Sequence, residues 1–165
     1  MSDLERFKTA HDRPGAGFAA AVSEIHAGRK QGHWIWYVFP QLSGLGHSAM
    51  SQTYGISSVA EAADYLRDPV LRSRLFIITT AVAEQLRRGA PLAAVMGSSI
   101  DALKLVSSLT LFSEVARRLC VSEGPESYES LVQLTEQVLD GAASQGYGRC
   151  GYTLALLAGR RSIHP

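Results

Sequence analysis

Cysteine is scarce in this chain. There are two in 165 residues, Cys120 and Cys150, and they show no CxxC spacing. Neither a zinc site nor a disulfide framework is indicated, and reduced, packed thiols are expected. Long apolar runs are also missing. No stretch approaches the roughly 18 apolar residues of a membrane span, and Met1-Ser2-Asp3-Leu4-Glu5-Arg6 has neither a basic nor an apolar leader region. Membrane association is not expected, and a cytoplasmic location follows by elimination. Charge of one sign is absent too: 16 Lys and Arg face 15 Asp and Glu, for a formal net charge of +1. Without a basic surplus there is no electrostatic footprint for DNA or RNA, so nucleic acid is not the expected partner. The pairs Arg87/Arg88, Arg117/Arg118 and Arg160/Arg161 are read instead as cations at helix C-termini, where they complement the dipole.

Several catalytic signatures are missing as well. His26, His33 and His47 lie at no ligand spacing and there is no HExxH, so no metal is expected, and no cofactor is indicated. Gly44-Leu45-Gly46 is too short for a phosphate loop and reads as a turn. Ser48, Ser51 and Tyr54 follow His47, but without a GxSxG context they do not indicate a serine hydrolase.

What is present is helical pattern. With 46% hydrophobic residues the composition is that of a globular protein, and the length suits a single domain spanning residues 1–165. Ser2 with Glu5, Ser58 with Glu61 and Ser98 with Asp101 are capping-box spacings, and Asp68-Pro69 is an N-cap followed by proline at the first helical position. Helices are predicted over the first dozen residues, over 18–27, from Ser58, over Pro69–Arg88, as a turn or two over Pro91–Met96, and from Ser98 to about Leu119. Two more are predicted over about Glu126–Leu139 and Tyr152–Ala158, with Gly141–Gly151 as a mobile loop between them. Residues 33–39 have strand-like composition, but a lone strand lacks a ladder partner, so an irregular or short helical segment in the core is expected. The sum is an all-α fold, a single irregular bundle of about seven helices around one buried central helix.

That central helix carries Leu103, Leu105, Val106, Leu109, Leu111, Phe112, Val115 and Leu119 around nearly its whole circumference. Asp101, Lys104 and Ser108 share one of its sides, so an acid, an amine and a hydroxyl are placed in line. A structural role accounts for them equally: Asp101 completes the cap, Lys104 pairs with it, and Ser108 bonds a backbone carbonyl. The second concentration of chemistry is the segment Arg29-Lys30 through His33-Trp34-Ile35-Trp36 to Gln41. Aromatic faces beside basic groups suit a planar or anionic ligand. The plain alternative is that Trp34 and Trp36 are core and that Arg29 and Lys30 are solvated at a helix C-terminus.

Taken together, Gly28-Arg29-Lys30, His33-Trp34, Trp36, Phe39-Pro40-Gln41-Leu42, Gly44-Leu45-Gly46, Tyr54-Gly55-Ile56, Asp68-Pro69-Val70-Leu71 and Asp101-Ala102-Leu103-Lys104-Leu105 resemble the bacterial family called domain of unknown function 1810. The resemblance runs from about Leu4 to Leu157 and implies a mainly helical single domain, with no activity to carry over. The family pattern has an acidic residue before its final Thr-Leu segment. This chain has Gly146-Tyr147-Gly148-Arg149-Cys150-Gly151 ahead of Thr153-Leu154, so no carboxylate role is carried over there.

Two functional readings follow. In the first, a pocket where the aromatic segment meets the start of the central helix binds a phosphorylated or nucleotide-like small molecule, with hydrolase or transferase chemistry if there is catalysis. His33, Asp101 and Lys104 are then the candidate catalytic residues, and Arg29, Lys30, Trp34, Trp36, Gln41 and Ser108 the candidate ligand contacts. In the second, the chain is a non-enzymatic protein-interaction module, its partner not specified by sequence, and the aromatics are core.

Overall fold

Four helix starts in this chain are set by local hydrogen bonds that Ser48, Ser58, Asp68 and Ser98 make. The computed structural model describes residues 3–159; the Ser2 cap and the Arg160/Arg161 pair lie outside them. Among the described residues there are ten helices: α1 (Glu5–His11), α2 (Phe18–His26), α3 (Ile35–Val38), α4 (Ala49–Tyr54), α5 (Val59–Arg67), α6 (Pro69–Arg87), α7 (Leu92–Val95), α8 (Ser99–Glu123), α9 (Glu129–Ser144) and α10 (Gly151–Leu157). Three of the expected caps are made. The Ser58 hydroxyl accepts from Glu61 N, Ser98 Oγ accepts from Asp101 N, and Asp68 accepts from Val70 N and Leu71 N with Pro69 opening α6.

The protein is an all-α bundle, and the elements beyond the expected seven are short. The aromatic segment forms the single turn α3, and Ser48 caps α4 by accepting from Ser51 N. A lone parallel bridge, Leu42 to Ile56, ties the chain after α3 to the chain after α4, through Ser43 N to Ile56 O at 2.9 Å and Ile56 N to Gln41 O at 2.9 Å.

α8 is the central helix. It packs against α9, α5, α10, α7 and α3, and buries Leu105, Val106, Leu109, Leu111, Phe112, Val115 and Leu119. Two expectations about it are corrected. Leu103 is 54% exposed and Ile100 64%, while Ala102 beside them is wholly buried, so the first turns of α8 are covered on one side only. The helix also runs on to Glu123, which places Arg117 and Arg118 in its interior, not at its end. Arg117 bonds Glu114 and Glu136, while Arg118 donates to the carbonyl of Leu157, the last residue of α10, and so caps a different helix.

α9 likewise runs past its expected end at Leu139 and through Gly141 to Ser144, which shortens the expected loop. A Cβ on Gly141 would stand 3.3 Å from Leu86 Cδ1, so this glycine permits close approach of α9 to α6 and does not stop the helix.

Candidate functional site

The chain after α2 is pinned before it reaches α3. Glu24, near the end of α2, accepts three hydrogen bonds on Oε1, from Gln31 N (2.7 Å), Gly32 N (2.7 Å) and Trp34 Nε1 (3.1 Å). Burial pushes the Glu24 carboxyl up, but the Gly32 and Gln31 amides, the indole N–H and the charge of Lys30 outweigh it and hold the group below the usual carboxylate range. The staple fixes Trp34, which is wholly buried.

Lys30 is docked from the other side. Its backbone N donates to Val95 O at 2.8 Å, and a Cβ on Gly97 would come within 2.8 Å of Lys30 O. Gly97 also has φ +83°, so only glycine meets both conditions without strain. Two residues beyond it Ser99 begins α8, and Asp101 arrives opposite Lys30.

The result is a chain of alternating aromatic and charged groups. Lys30 Nζ lies 5.1 Å from the Trp34 ring centroid and pairs with Asp101 Oδ2 at 2.8 Å. Asp101 Oδ1 faces Lys104 Nζ at 3.8 Å, and Lys104 Nζ lies 4.8 Å from the Trp36 ring centroid. The Lys30 ammonium also donates to Gly32 O, and its side chain is only 6% exposed. It is therefore not the solvated helix-end lysine of the plain reading. A buried ammonium needs compensation of this kind. Asp101 is likewise not completing its capping box: its backbone takes the Ser98 cap while its carboxylate is spent on the two lysines.

Beyond Lys104 is a narrow cleft with a cavity volume of about 10 Å³, lined by Ile35 and Trp36 of α3, Phe39 and Gln41 after it, Ser51, Tyr54 and Gly55 at α4, and Lys104. Its floor is apolar, since Ile35 and Phe39 are buried. The Trp36 indole nitrogen is buried with no acceptor among the described residues. Such a donor is costly and calls for an acceptor.

Of the residues expected from sequence, the fold joins Lys30, Trp34, Asp101 and Lys104 to Trp36, and Trp36, Lys104 and Gln41 line the cleft. Arg29 and His33 are exposed and stand outside the group. Ser108 is wholly buried and its hydroxyl lacks the carbonyl partner expected for it; the neighbouring Ser107 makes that bond, to Leu103 O at 3.0 Å. The sequence reading missed Glu24, Ser51, Tyr54 and Gly55. The cap at Ser48 and the Tyr54-Gly55-Ile56 triplet were the available signals for the last three. Glu24 gave none, because its role depends on a loop folding back over eight residues.

The fold is a small all-α bundle with an aromatic-walled cleft lined by one lysine. The chain belongs to the family described as "Protein of unknown function (DUF1810)", whose pattern matches residues 1–130. It is similar to the conserved hypothetical protein Rv1873 from Mycobacterium tuberculosis, known from a crystal structure, with 38% identity and a TM-score of 0.74 over 94% of this chain and 96% of that one. None of the curated proteins compared with the chain matches it. Among the described residues no helix is long and apolar enough to cross a membrane.

Proposed function

We propose that this protein binds a small molecule carrying an anionic group in the cleft between α3, α4 and α8. The observation that carries the reading is the Trp36 indole N–H, buried without an acceptor among the described residues, on a residue that lines the cleft together with Lys104. An anion accepting from both would satisfy the orphaned donor and meet a positive charge. The volume narrows the ligand. A cavity volume of about 10 Å³, room for roughly one water molecule, lies far below the roughly 300–1,000 Å³ of drug-sized sites, which favours a compact anion over a whole nucleotide. Lys30 and Asp101 serve in this reading as the support that holds Lys104 in place. Catalysis by hydrolysis or group transfer draws less support: His33 does not line the cleft, and the Asp101 carboxylate is committed to lysines.

The test is a thermal-shift panel of phosphate monoesters, nucleotides and small carboxylates on the full chain, repeated with Lys104→Met and Trp36→Phe. A ligand at a hundred times its Kd adds about 2.7 kcal/mol, several degrees in a domain of this size. The reading expects a shift from at least one anion that both variants lose while still melting cooperatively. It is abandoned if no anion shifts the wild type, or if the variants keep the shift.

The second reading, a non-enzymatic protein-interaction module, has one observation in its favour. Ile100 (64% exposed) and Leu103 (54%) form an apolar edge on the first turns of α8 beside Lys104. It predicts a blank ligand panel and a protein partner whose binding is lost in Leu103→Asp.

A further inference from the structure

A second cleft lies where the end of α1 and the start of α2 meet α6. Its cavity volume is about 350 Å³, within the roughly 300–1,000 Å³ of small-molecule sites, and the polar side chains lining it are His11, Asp12, Arg13 and Arg74. We infer that this cleft binds a small phosphate monoester between Arg13 and Arg74, at a site independent of Lys104.

The fold brings the two guanidiniums to one cavity. Gly17 seats the start of α2 on the end of α1, where a Cβ would collide with the carbonyl oxygens of His11 and Arg13. Arg74 arrives from α6, with Cζ 5.7 Å from the Phe18 ring centroid. His11 holds it there: Nδ1 accepts from Arg74 at 3.3 Å while Nε2 faces the Tyr37 carbonyl. The imidazole in that arrangement is neutral, so it positions the guanidinium without adding charge.

Charge then narrows the ligand. Arg13 donates to Tyr54 Oη at 3.1 Å and lies over the Tyr37 ring, but it pairs with no carboxylate among the described residues. Arg74 meets Asp12 Oδ1 at 3.3 Å, and that carboxylate is 71% exposed, so the pair is weak and open to exchange. An oxyanion that takes the place of Asp12 on Arg74 meets two positive charges. That matches the charge of about −1.5 to −2 on a phosphate monoester at pH 7, whereas a monocarboxylate leaves one guanidinium unmatched.

The donor geometry agrees, since guanidinium forks suit the several oxygens of a phosphoryl group. The backbone supplements them. Phe18, Ala19 and Ala20 also line the cleft, and their N–H groups have no acceptor among the described residues, because Gly17 offers no side chain to cap α2. The Phe18 ring and Pro14 give an apolar wall for the body of the ester.

The experiment titrates the full chain by calorimetry with phenyl phosphate, inorganic phosphate and benzyl alcohol. The wild type is expected to bind phenyl phosphate at least tenfold more tightly than benzyl alcohol and severalfold more tightly than inorganic phosphate. Arg13→Gln and Arg74→Gln should each weaken phenyl phosphate tenfold or more, and Lys104→Met should leave it within twofold. Each variant is first shown to melt cooperatively. Arg13 is exposed, so its variant decides the test if loss of Arg74 unsettles His11. Phenyl phosphate binding that Lys104→Met abolishes and the arginine variants keep overturns this inference and supports the cleft between α3, α4 and α8 instead. Benzyl alcohol matching phenyl phosphate overturns anion recognition here, and inorganic phosphate matching it overturns the selection of an ester. Silence from all three overturns the inference, and the Lys104 cleft is then decided by the carboxylates of its own panel.

Discussion

His11 gives the sharpest quantitative prediction. It sits at the end of α1, 4% exposed, with Nε2 2.5 Å from Tyr37 O and Nδ1 3.3 Å from Arg74 Nη1. Only the neutral ring with its proton on Nε2 satisfies both contacts, donating to the carbonyl and accepting from the guanidinium. Burial pushes the imidazole pKa down from 6.5 to about 4; the Tyr37 carbonyl opposes this, Arg74 adds to it, and Asp12 opposes it weakly. Because the folded value is depressed, the unfolded chain takes up the proton first, between pH 6.5 and 4. Stability is therefore fully present above pH 6.5 and falls as the pH drops through that window. The fall from 6.5 to about 4 corresponds to about 3 kcal/mol lost by pH 4. For a chain of this length that is roughly 6–12 °C in Tm. The comparison is with His11→Gln, which keeps an N–H donor and a carbonyl acceptor but cannot titrate. Urea melts of both proteins at pH 7 and pH 4 let the losses from carboxylates such as Glu24, Asp68 and Glu136 cancel in the difference. Wild type should lose about 3 kcal/mol more than the variant; parallel pH profiles would refute the buried neutral imidazole.

The remaining predictions concern the site's support. Lys30→Met should cost about 3 kcal/mol, because it leaves the largely buried Asp101 carboxylate with only the looser Lys104 pair, whereas Lys104→Met, losing that looser and more exposed pair, should cost under about 1 kcal/mol; chemical denaturation separates the two. Gly97→Ala should cost about 3 kcal/mol, from the left-handed backbone and the clash with Lys30 O, while Gly28→Ala, with φ +94° and open space, should cost about 1–2 kcal/mol. Ser98→Ala should lower stability by about 1 kcal/mol through loss of the α8 cap and leave anion binding within a fewfold of wild type.

The elements legible in the sequence were those whose signals are local. Ser58, Asp68-Pro69 and Ser98 each act within three residues, so their helices begin where the sequence places them. Helix ends were less legible. Gly141 reads as a terminator, yet it continues α9 because a small residue is needed against Leu86. Gly124, by contrast, does end its helix, five residues beyond the expected stop. At the site, the sequence identified the aromatic segment and the start of α8 as neighbours. It had no means of separating Lys30, which is buried, from Arg29, which is exposed, since both follow the same helix.

Composition, capping and periodicity thus determined the helical class and the position of the central helix, because each depends on hydrogen bonds and apolar spacing within a few residues. The tertiary structure alone decided which charges meet. Lys30 and Asp101 lie 71 positions apart and are joined at 2.8 Å, because Val95 O holds the backbone of Lys30 and Gly97 lets the turn before α8 close on it. It also split the two tryptophans, sealing Trp34 behind Glu24 and leaving Trp36 at the cleft, since Trp34 stands just before the single turn of α3 and Trp36 within it, and side chains two apart there point to different sides.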